Sequence, residues 1–229
     1  MHPMFVKLFM ETDDDDLLYE QDRRRRARRS RRARSAMAAG PAARDRQRDR
    51  QSLPLRQPGR NPAMTESIVP VTGSVISSPD AQAAIWFLGA LAQVRVSGEQ
   101  TGGAFALADH LARRGNASPV HIHDRDDETF FVLDGELRVF AGEEEHAAGP
   151  GTVAVPPRRL RHAYVVTSAT ARFLTLHTPA GFERFAAEVG EPARALAFPP
   201  PPAGPPDFAA LAQAAARHGI TILAPPPQP

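Results

Sequence analysis

Short stretches of apolar residues recur from about residue 84 onward, and glycine, proline or charged turns separate them. They are rich in Val, Phe and Leu, and several alternate apolar with polar residues, which is typical of strands with one buried face. The predicted strands span residues 85–88, 90–96, 105–111, 129–133, 137–141, 152–155, 162–166 and 171–177. Many short strands with turns between them predict an all-β sandwich or barrel.

Two segments near the end of the chain have a helical pattern instead. Residues 182–189 place apolar side chains at helical spacing. Residues 207–218 are rich in alanine, begin with Asp207 as a suitable N-cap and stop at Gly219. The prolines within residues 199–206 predict a stiff linker between these two helices.

The turn Asp134-Gly135 lies between two predicted strands. Glycine adopts a positive φ without steric cost, and this dipeptide is typical of tight turns between antiparallel strands. The sequence therefore predicts a β-hairpin over residues 129–141.

The first 63 residues show no apolar periodicity. Sixteen of the 28 Lys and Arg residues lie there against nine acidic ones, so the remainder is mildly acidic although the whole chain carries +2. Such composition does not bury enough apolar area to offset chain entropy, so we expect a disordered Arg-rich tail. Three interpretations stay open: an arm that binds nucleic acid or an anionic surface, a solvated tail, or a segment not translated because synthesis starts at Met64 or Met37.

These patterns divide the chain into a tail (1–63), a β-barrel domain (64–198), and a Pro-rich linker with a C-terminal helix (199–229). The chain has no cysteine, which excludes disulfides, thiolate metal sites and cysteine nucleophiles. No apolar run approaches the roughly 20 residues of a membrane span, and we read no signal peptide. We therefore expect a cytoplasmic protein without membrane contact, and the acidic remainder argues against a nucleic-acid partner.

Three histidines and one glutamate have the spacing of a metal site. His121 and His123 stand at i and i+2 of a strand and so face the same side. Glu128 opens the next strand after a polar turn, and His162 opens a later one. Three imidazoles and one carboxylate suit Fe, Mn, Co, Ni, Cu or Zn better than Ca or Mg. We expect one divalent transition metal, with open positions for water, substrate or dioxygen.

By the same strand parity, two residues follow Glu128 on the inner face and two follow His162. These candidates for a substrate pocket are Phe130, Val132, Tyr164 and Val166. Aromatic residues on such a face are also typical of a plain core, and Tyr164 is the best candidate because a buried hydroxyl needs a partner. His177 ends a strand, and its role is open between the core and a hydrogen bond to a metal ligand.

The two segments that carry these residues closely resemble the two conserved motifs of the cupin superfamily. The first motif, residues 115–135, matches at every fixed position, and the second matches at Gly151, Pro157 and His162. The second departs at Arg159, where the family has Gly and where a side chain costs about 1 kcal/mol if the position needs a positive φ. It also departs at Val166, where the family usually has Asn, and neither change removes a ligand.

The runs GEQTGGAFALADHL, HIHDRDDETFFVLDGEL and ARFLTLHTPAGFERF are similar to bacterial single-domain cupins related to quercetin 2,3-dioxygenase. The resemblance covers about residues 84–189. It implies a cupin jelly-roll β-barrel with a metal at the four residues above. It also implies a dioxygenase that cleaves an enolic or phenolic substrate with O2.

Glu128 would then be either a catalytic base or a plain ligand, and we leave both roles open. Two other functions also stay open: a metal-cupin isomerase or decarboxylase, and a non-enzymatic cupin that binds a small molecule. We further expect a homodimer, because cupin barrels often pair through an edge strand.

Overall fold

The computed structural model describes residues 73–201, 204 and 207–229. The predicted tail at residues 1–63 lies outside them. The described residues form strands in two antiparallel sheets, two α-helices and a short 3-10 turn at Pro79–Ala81. The strands are β1 (Ala83–Phe87), β2 (Ala90–Val96), β3 (Ala106–Arg113), β4 (Val120–His123), β5 (Asp127–Asp134), β6 (Leu137–Ala141), β7 (Glu144–Ala148), β8 (Val153–Ala154), β9 (His162–Val166), β10 (Thr170–Thr178), β11 (Glu191–Pro192) and β12 (Ile220–Ala224), and the helices are α1 (Phe182–Val189) and α2 (Phe208–Arg217).

The larger sheet has the strand order β11-β1-β2-β3-β10-β5-β8, and the smaller one has the order β12-β4-β9-β6-β7. Neighbours in both sheets are mostly distant in sequence, as in β3–β10 and β4–β9. Such crossing connections between two antiparallel sheets are typical of a jelly roll. The predicted all-β jelly-roll class is confirmed.

Two clusters of apolar side chains form the core. One lies among strands of both sheets and includes Phe130, Leu137 and Phe173. The other lies where α1 and α2 meet β1 and β12, and it includes Phe185 and Leu211. Burial of one apolar side chain stabilises the fold by about 1.5–3 kcal/mol, so both clusters hold the sheets and helices in place.

The C-terminal helix begins and ends with the predicted residues. Asp207 accepts hydrogen bonds from the backbone N–H groups of Ala209 and Ala210, both at 3.0 Å. Gly219 follows the helix with φ 74°, a conformation that a side chain would oppose. The next residues form β12, which the sequence analysis did not predict and which pairs with β4.

The predicted hairpin at Asp134-Gly135 is wrong, although its turn chemistry is right. Gly135 has φ 75°, and a Cβ there would lie 2.1 Å from the carbonyl oxygen of Thr170. However, β5 pairs with β10 and β8, whereas β6 pairs with β7 and β9. The turn therefore carries the chain from one sheet to the other.

None of the helices in the described part of the chain has the length and apolar character to cross a bilayer.

Candidate metal centre

The structure brings the four predicted ligands together between the two sheets. His121 and His123 lie on β4, Glu128 on β5 and His162 on β9. Each is more than nine-tenths buried. The Oε2 atom of Glu128 lies 2.9 Å from Nε2 of His162, 3.6 Å from Nε2 of His123 and 3.8 Å from Nε2 of His121. Four donor atoms from three strands thus lie close enough together to hold one metal ion.

The other ring nitrogen of each histidine is fixed by an acceptor. Nδ1 of His121 lies 2.8 Å from the carbonyl oxygen of Pro119, and Nδ1 of His162 lies 2.8 Å from that of Leu160. A carbonyl only accepts, so both Nδ1 atoms carry the proton. In the neutral ring this leaves the lone pair on Nε2, which is the arrangement that metal-binding imidazoles require.

This arrangement fits a cation between the rings and the carboxylate. Nε2 of His121 lies 3.1 Å from Nε2 of His123, and Nε2 of His162 faces an oxygen of Glu128. Two neutral imidazoles with protons on Nδ1 would place two lone pairs against each other, which is unfavourable. A shared cation or an added proton relieves that repulsion, and three nitrogens with one oxygen suit a transition metal.

A carboxylate links one of these histidines to a further histidine. Nδ1 of His123 lies 3.0 Å from Oδ2 of Asp126, and Nδ1 of His177 lies 2.8 Å from the same oxygen. His177 also stands directly opposite Glu128 on the neighbouring strand, with its Nε2 3.6 Å from Oε1 of Glu128. Among the described residues, this Nε2 atom is the only buried side-chain nitrogen or oxygen that has no hydrogen-bond partner. Asp126 therefore fixes the orientation of both rings.

The buried charges shift the ionisation of the cluster. Burial opposes the charged form of Glu128, but the charge of His177 and hydrogen bonds from the three other histidines hold its pKa well below the usual range. Burial likewise opposes protonation of His123, yet Asp126 and Glu128 raise the pKa of His123 to about 10. Burial lowers the pKa of His121. Glu128 is thus an anion over the neutral range, as a metal ligand must be.

A small cavity opens beside His121 and Glu128, with a volume of about 50 Å3. Its wall is mainly aromatic and aliphatic, and it comes from both sheets and from the C-terminal elements. The lining residues are Phe87, Leu88, Ala90, His110, Ala117, Ser118, Pro119, His121, Glu128, Tyr164, Phe173, Thr175, Phe182, Phe185, Leu211, Ile220 and Ile222. The site therefore adjoins a mainly apolar cavity, which is where ligands bind in many proteins.

The four predicted pocket residues do not all reach this cavity. Tyr164 lines it, and its hydroxyl donates a hydrogen bond to Oδ1 of Asn116 at 3.1 Å. Burial, together with the charge of Glu128, raises the pKa of Tyr164, so its phenol stays neutral. The other three do not line the cavity. They are 1% exposed or less and belong to the core cluster between the sheets: Phe130, Val132 and Val166.

Arg159 is one of two residues that depart from the second motif, and its backbone has the conformation that glycine favours. Arg159 has φ 65°, and its backbone N–H donates to the carbonyl oxygen of His123 at 2.8 Å. The loop before β9 therefore contacts a predicted ligand through the backbone. A left-handed conformation costs a residue with a side chain about 1–2 kcal/mol, so Arg159 is strained in this structure.

Sequence reasoning missed Asp126 and treated the turn around it as merely polar. It also left His177 open, and it gave no role to His110, whose Nε2 lies 2.9 Å from the Thr175 hydroxyl on the cavity wall. Strand parity could have shown that Thr175 and His177 share a face. It could not have shown that His177 stands opposite Glu128, because the two lie on strands far apart in sequence.

Comparison with known proteins agrees with the fold and the motifs. The family model described as "Cupin domain" matches residues 110–177, which include all four candidate ligands. Quercetin 2,3-dioxygenase of Bacillus subtilis (strain 168) is 26% identical over 101 residues, which are 44% of this chain and 30% of that enzyme. Residues 110–177 of this chain are therefore a cupin domain. The chain matches less than a third of the length of that curated relative.

Solved cupin structures are also similar to part of the chain. An RmlC-like cupin from Shewanella frigidimarina is 18% identical with a TM-score of 0.42, and the match covers 48% of this chain and 96% of that one. An oxalate decarboxylase variant from Bacillus subtilis is 17% identical with a TM-score of 0.42, covering 52% of this chain and 33% of that one.

Proposed function

We propose that this chain is a metal-dependent cupin oxygenase that cleaves an enolic or phenolic substrate with O2, as the curated relative's name suggests. The observation that carries the proposal is the convergence of three imidazole nitrogens and one carboxylate oxygen beside a mainly apolar cavity. His121, His123 and His162 would hold the metal through Nε2, and Glu128 would hold it through Oε2. The bound ion would supply Lewis acidity and a common binding point for the substrate oxygen and dioxygen.

The protein's own contribution begins with the charge and position of Glu128. It borders the cavity, so the hydroxyl proton of a bound enol or phenol lies within reach of a carboxylate. We assign Glu128 the role of proton acceptor in addition to that of ligand. Its low pKa makes Glu128 a weak base, so the proton transfer would need the Lewis acidity that a metal held by the four residues would supply.

The cavity wall would orient the substrate and exclude water. Phe87, Phe173 and Phe182 offer aromatic faces against the apolar part of the ligand. A carbon–carbon bond of the substrate would break, and both oxygen atoms of O2 would end in the products. No external reductant is then needed.

Glu128→Gln tests the proton-acceptor role separately from the metal site. The amide oxygen still binds a metal, though more weakly, but it accepts no proton. We expect the variant to retain measurable metal at saturating concentration and to lose oxygen uptake, measured with an oxygen electrode. Full turnover at full metal content would remove the base role and leave Glu128 as a ligand only.

A second candidate is a metal-cupin isomerase or decarboxylase, which the same four ligands would also serve. Oxygen uptake separates the two, because an isomerase or decarboxylase consumes none. The homodimer and the cytoplasmic location stay predictions. Light scattering at micromolar concentration tests the dimer, and a monomeric mass would contradict it.

A further inference from the structure

We propose that this site accepts a small ligand with no charged group apart from its metal-directed oxygen, and that Ile222 of β12 limits the ligand's size. The inference rests on the proposed metal site but not on oxygen chemistry. It concerns the wall of the cavity that the C-terminal segment supplies, outside the residues that match the cupin family model.

The C-terminal strand lies directly beside the strand that carries two predicted ligands. Ile222 pairs with His121 and Ile220 pairs with His123 in the β12–β4 ladder. Paired residues of an antiparallel ladder point to the same face, so both isoleucines project toward the cavity, and both line it. Leu223 alternates to the opposite face and is 51% exposed. The strand thus presents two wall residues, each paired with a predicted metal ligand.

The charge of the wall restricts the ligand. The described residues that line the cavity include no Lys or Arg. Glu128 is the only Asp or Glu among them. A divalent ion together with Glu128 leaves one positive charge, which one enolate or phenolate oxygen neutralises. A phosphate or second carboxylate on the ligand would then be buried without a cationic partner, which is costly in an apolar environment.

The size of the cavity restricts the ligand further. Its volume is about 50 Å3. An engineered protein cavity that holds benzene measures roughly 150 Å3, so even a small ligand must displace part of the wall or extend through the opening of this cavity, and a molecule with three rings must displace more of it. Truncation of Ile222 to Ala removes three carbons from the wall next to His121 and enlarges the space where a ligand would meet the metal.

The polar groups on the wall leave little for a hydrophilic ligand to bind. The Tyr164 hydroxyl donates to Asn116, and the Thr175 hydroxyl is hydrogen-bonded to His110. The Ser118 hydroxyl oxygen accepts from the backbone N–H of Tyr164 at 3.2 Å. A ligand rich in hydroxyl groups would need more hydrogen-bond partners than the remaining capacity of these three hydroxyls supplies, whereas an apolar ligand needs none.

The test uses the full chain loaded with cobalt, whose visible spectrum reports a ligand at the metal without turnover. The probes are 2,4-pentanedione, a small neutral β-diketone; dihydroxyacetone phosphate, an enolisable ketone with a phosphate; and quercetin, which has three rings. Cobalt content is measured after each titration. The variants are Ile222→Ala and Ile222→Val, with Leu223→Ala as the control on the opposite face of the same strand.

We expect 2,4-pentanedione to bind the wild type at least about tenfold more tightly than quercetin, since a few misplaced carbons in a pocket are worth that much. We expect a similar preference over dihydroxyacetone phosphate, because its phosphate would be buried without a cationic partner. Ile222→Ala should tighten quercetin binding by about tenfold, and Ile222→Val by less, while Leu223→Ala matches the wild type. If Ile222→Ala does not fold, the graded effect of Ile222→Val decides.

Equal binding of all three probes by the wild type, or equal behaviour of the Ile222 and Leu223 variants, would overturn the inference. Absence of cobalt from the wild type would overturn it together with the metal site. Cobalt and 2,4-pentanedione binding in the expected order, without oxygen consumption by any metal form, would uphold the inference and contradict only the oxygenase proposal.

Discussion

Asp126 is predicted to control metal affinity although it is not one of the four ligands. Its carboxylate accepts from Nδ1 of His123 at 3.0 Å and from Nδ1 of His177 at 2.8 Å, and the hydrogen bonds hold its pKa far below the usual value despite burial. Asp126→Asn keeps the shape but replaces one carboxylate oxygen with an NH2 group. Oδ1 of Asp126 lies 3.1 Å from Nδ1 of His123, so an NH2 group in its place would oppose the N–H of that ring. His123 then loses the fixed orientation of its Nε2.

Loss of such an orienting partner reduces metal affinity by about 10–100-fold, which corresponds to about 1.4–2.7 kcal/mol. The dissociation constant is measured by competition with a chromophoric chelator, for one metal at fixed pH and salt. Asp124→Asn is the matched control, because it removes the same charge two residues away from an exposed side chain. The control should stay within about twofold of the wild type, since exposed charges are well screened.

A metal affinity of Asp126→Asn equal to that of Asp124→Asn would refute the reasoning. It would mean that His123 does not need its Nδ1 partner, or that it is not a ligand. Far-UV circular dichroism on both variants checks that they are folded, so that a loss of affinity is not confused with unfolding.

Three further predictions concern stability measured by urea unfolding. Arg159→Gly should stabilise the fold by about 0.5–1 kcal/mol, because release of left-handed strain at φ 65° exceeds the added chain entropy of glycine; no gain would contradict this. Gly135→Ala should cost more than about 2 kcal/mol, because its Cβ would lie 2.1 Å from the Thr170 oxygen, whereas Gly149→Ala, with nothing within 4 Å, should cost far less. Burial lowers the pKa of His110 to about 4, so between pH 6.5 and 4 the unfolded chain binds a proton that the folded chain does not, and stability falls as the pH falls. His110→Gln should remove about 3 kcal/mol of that pH dependence, and an unchanged pH profile would rule out His110 as its source.

Local patterns predicted many elements well. The alternation of apolar residues gave the bounds of β2, β6 and β9 as the structure has them, and helical spacing gave those of α1. The cap residues Asp207 and Gly219 also bound α2 as expected. These elements are set by interactions among near neighbours in sequence, which periodicity and capping rules describe.

What the sequence did not predict depends on pairing between distant segments. The sequence analysis identified Gly135 as a turn residue. No local pattern indicated that the two strands that flank it belong to different sheets. The short strand β12 follows directly after a helix and pairs with β4, about a hundred residues earlier. Its isoleucines therefore reach the cavity through a contact that composition does not encode.

The same distinction applies to the site. The four candidate ligands were predicted from residue spacing and from the resemblance to cupins, and the structure brings those four side chains together. The hydrogen bond between Asp126 and His177 was not predicted. It joins the turn before β5 to the end of β10, about fifty residues later in the sequence. Three of the four predicted pocket residues instead lie in the core, since parity gives the face of a strand but not its depth.

Metal stoichiometry decides whether His121, His123, Glu128 and His162 form a metal centre. The full chain is stripped with a chelator, reconstituted anaerobically with Fe, Mn, Co or Ni, desalted and analysed by elemental mass spectrometry, with His162→Ala beside it. We predict about one metal per wild-type chain and a large loss in the variant, because His162 supplies the nitrogen nearest to Glu128. A folded wild type without stoichiometric metal, or a variant with the same content, would contradict a metal centre at these four residues.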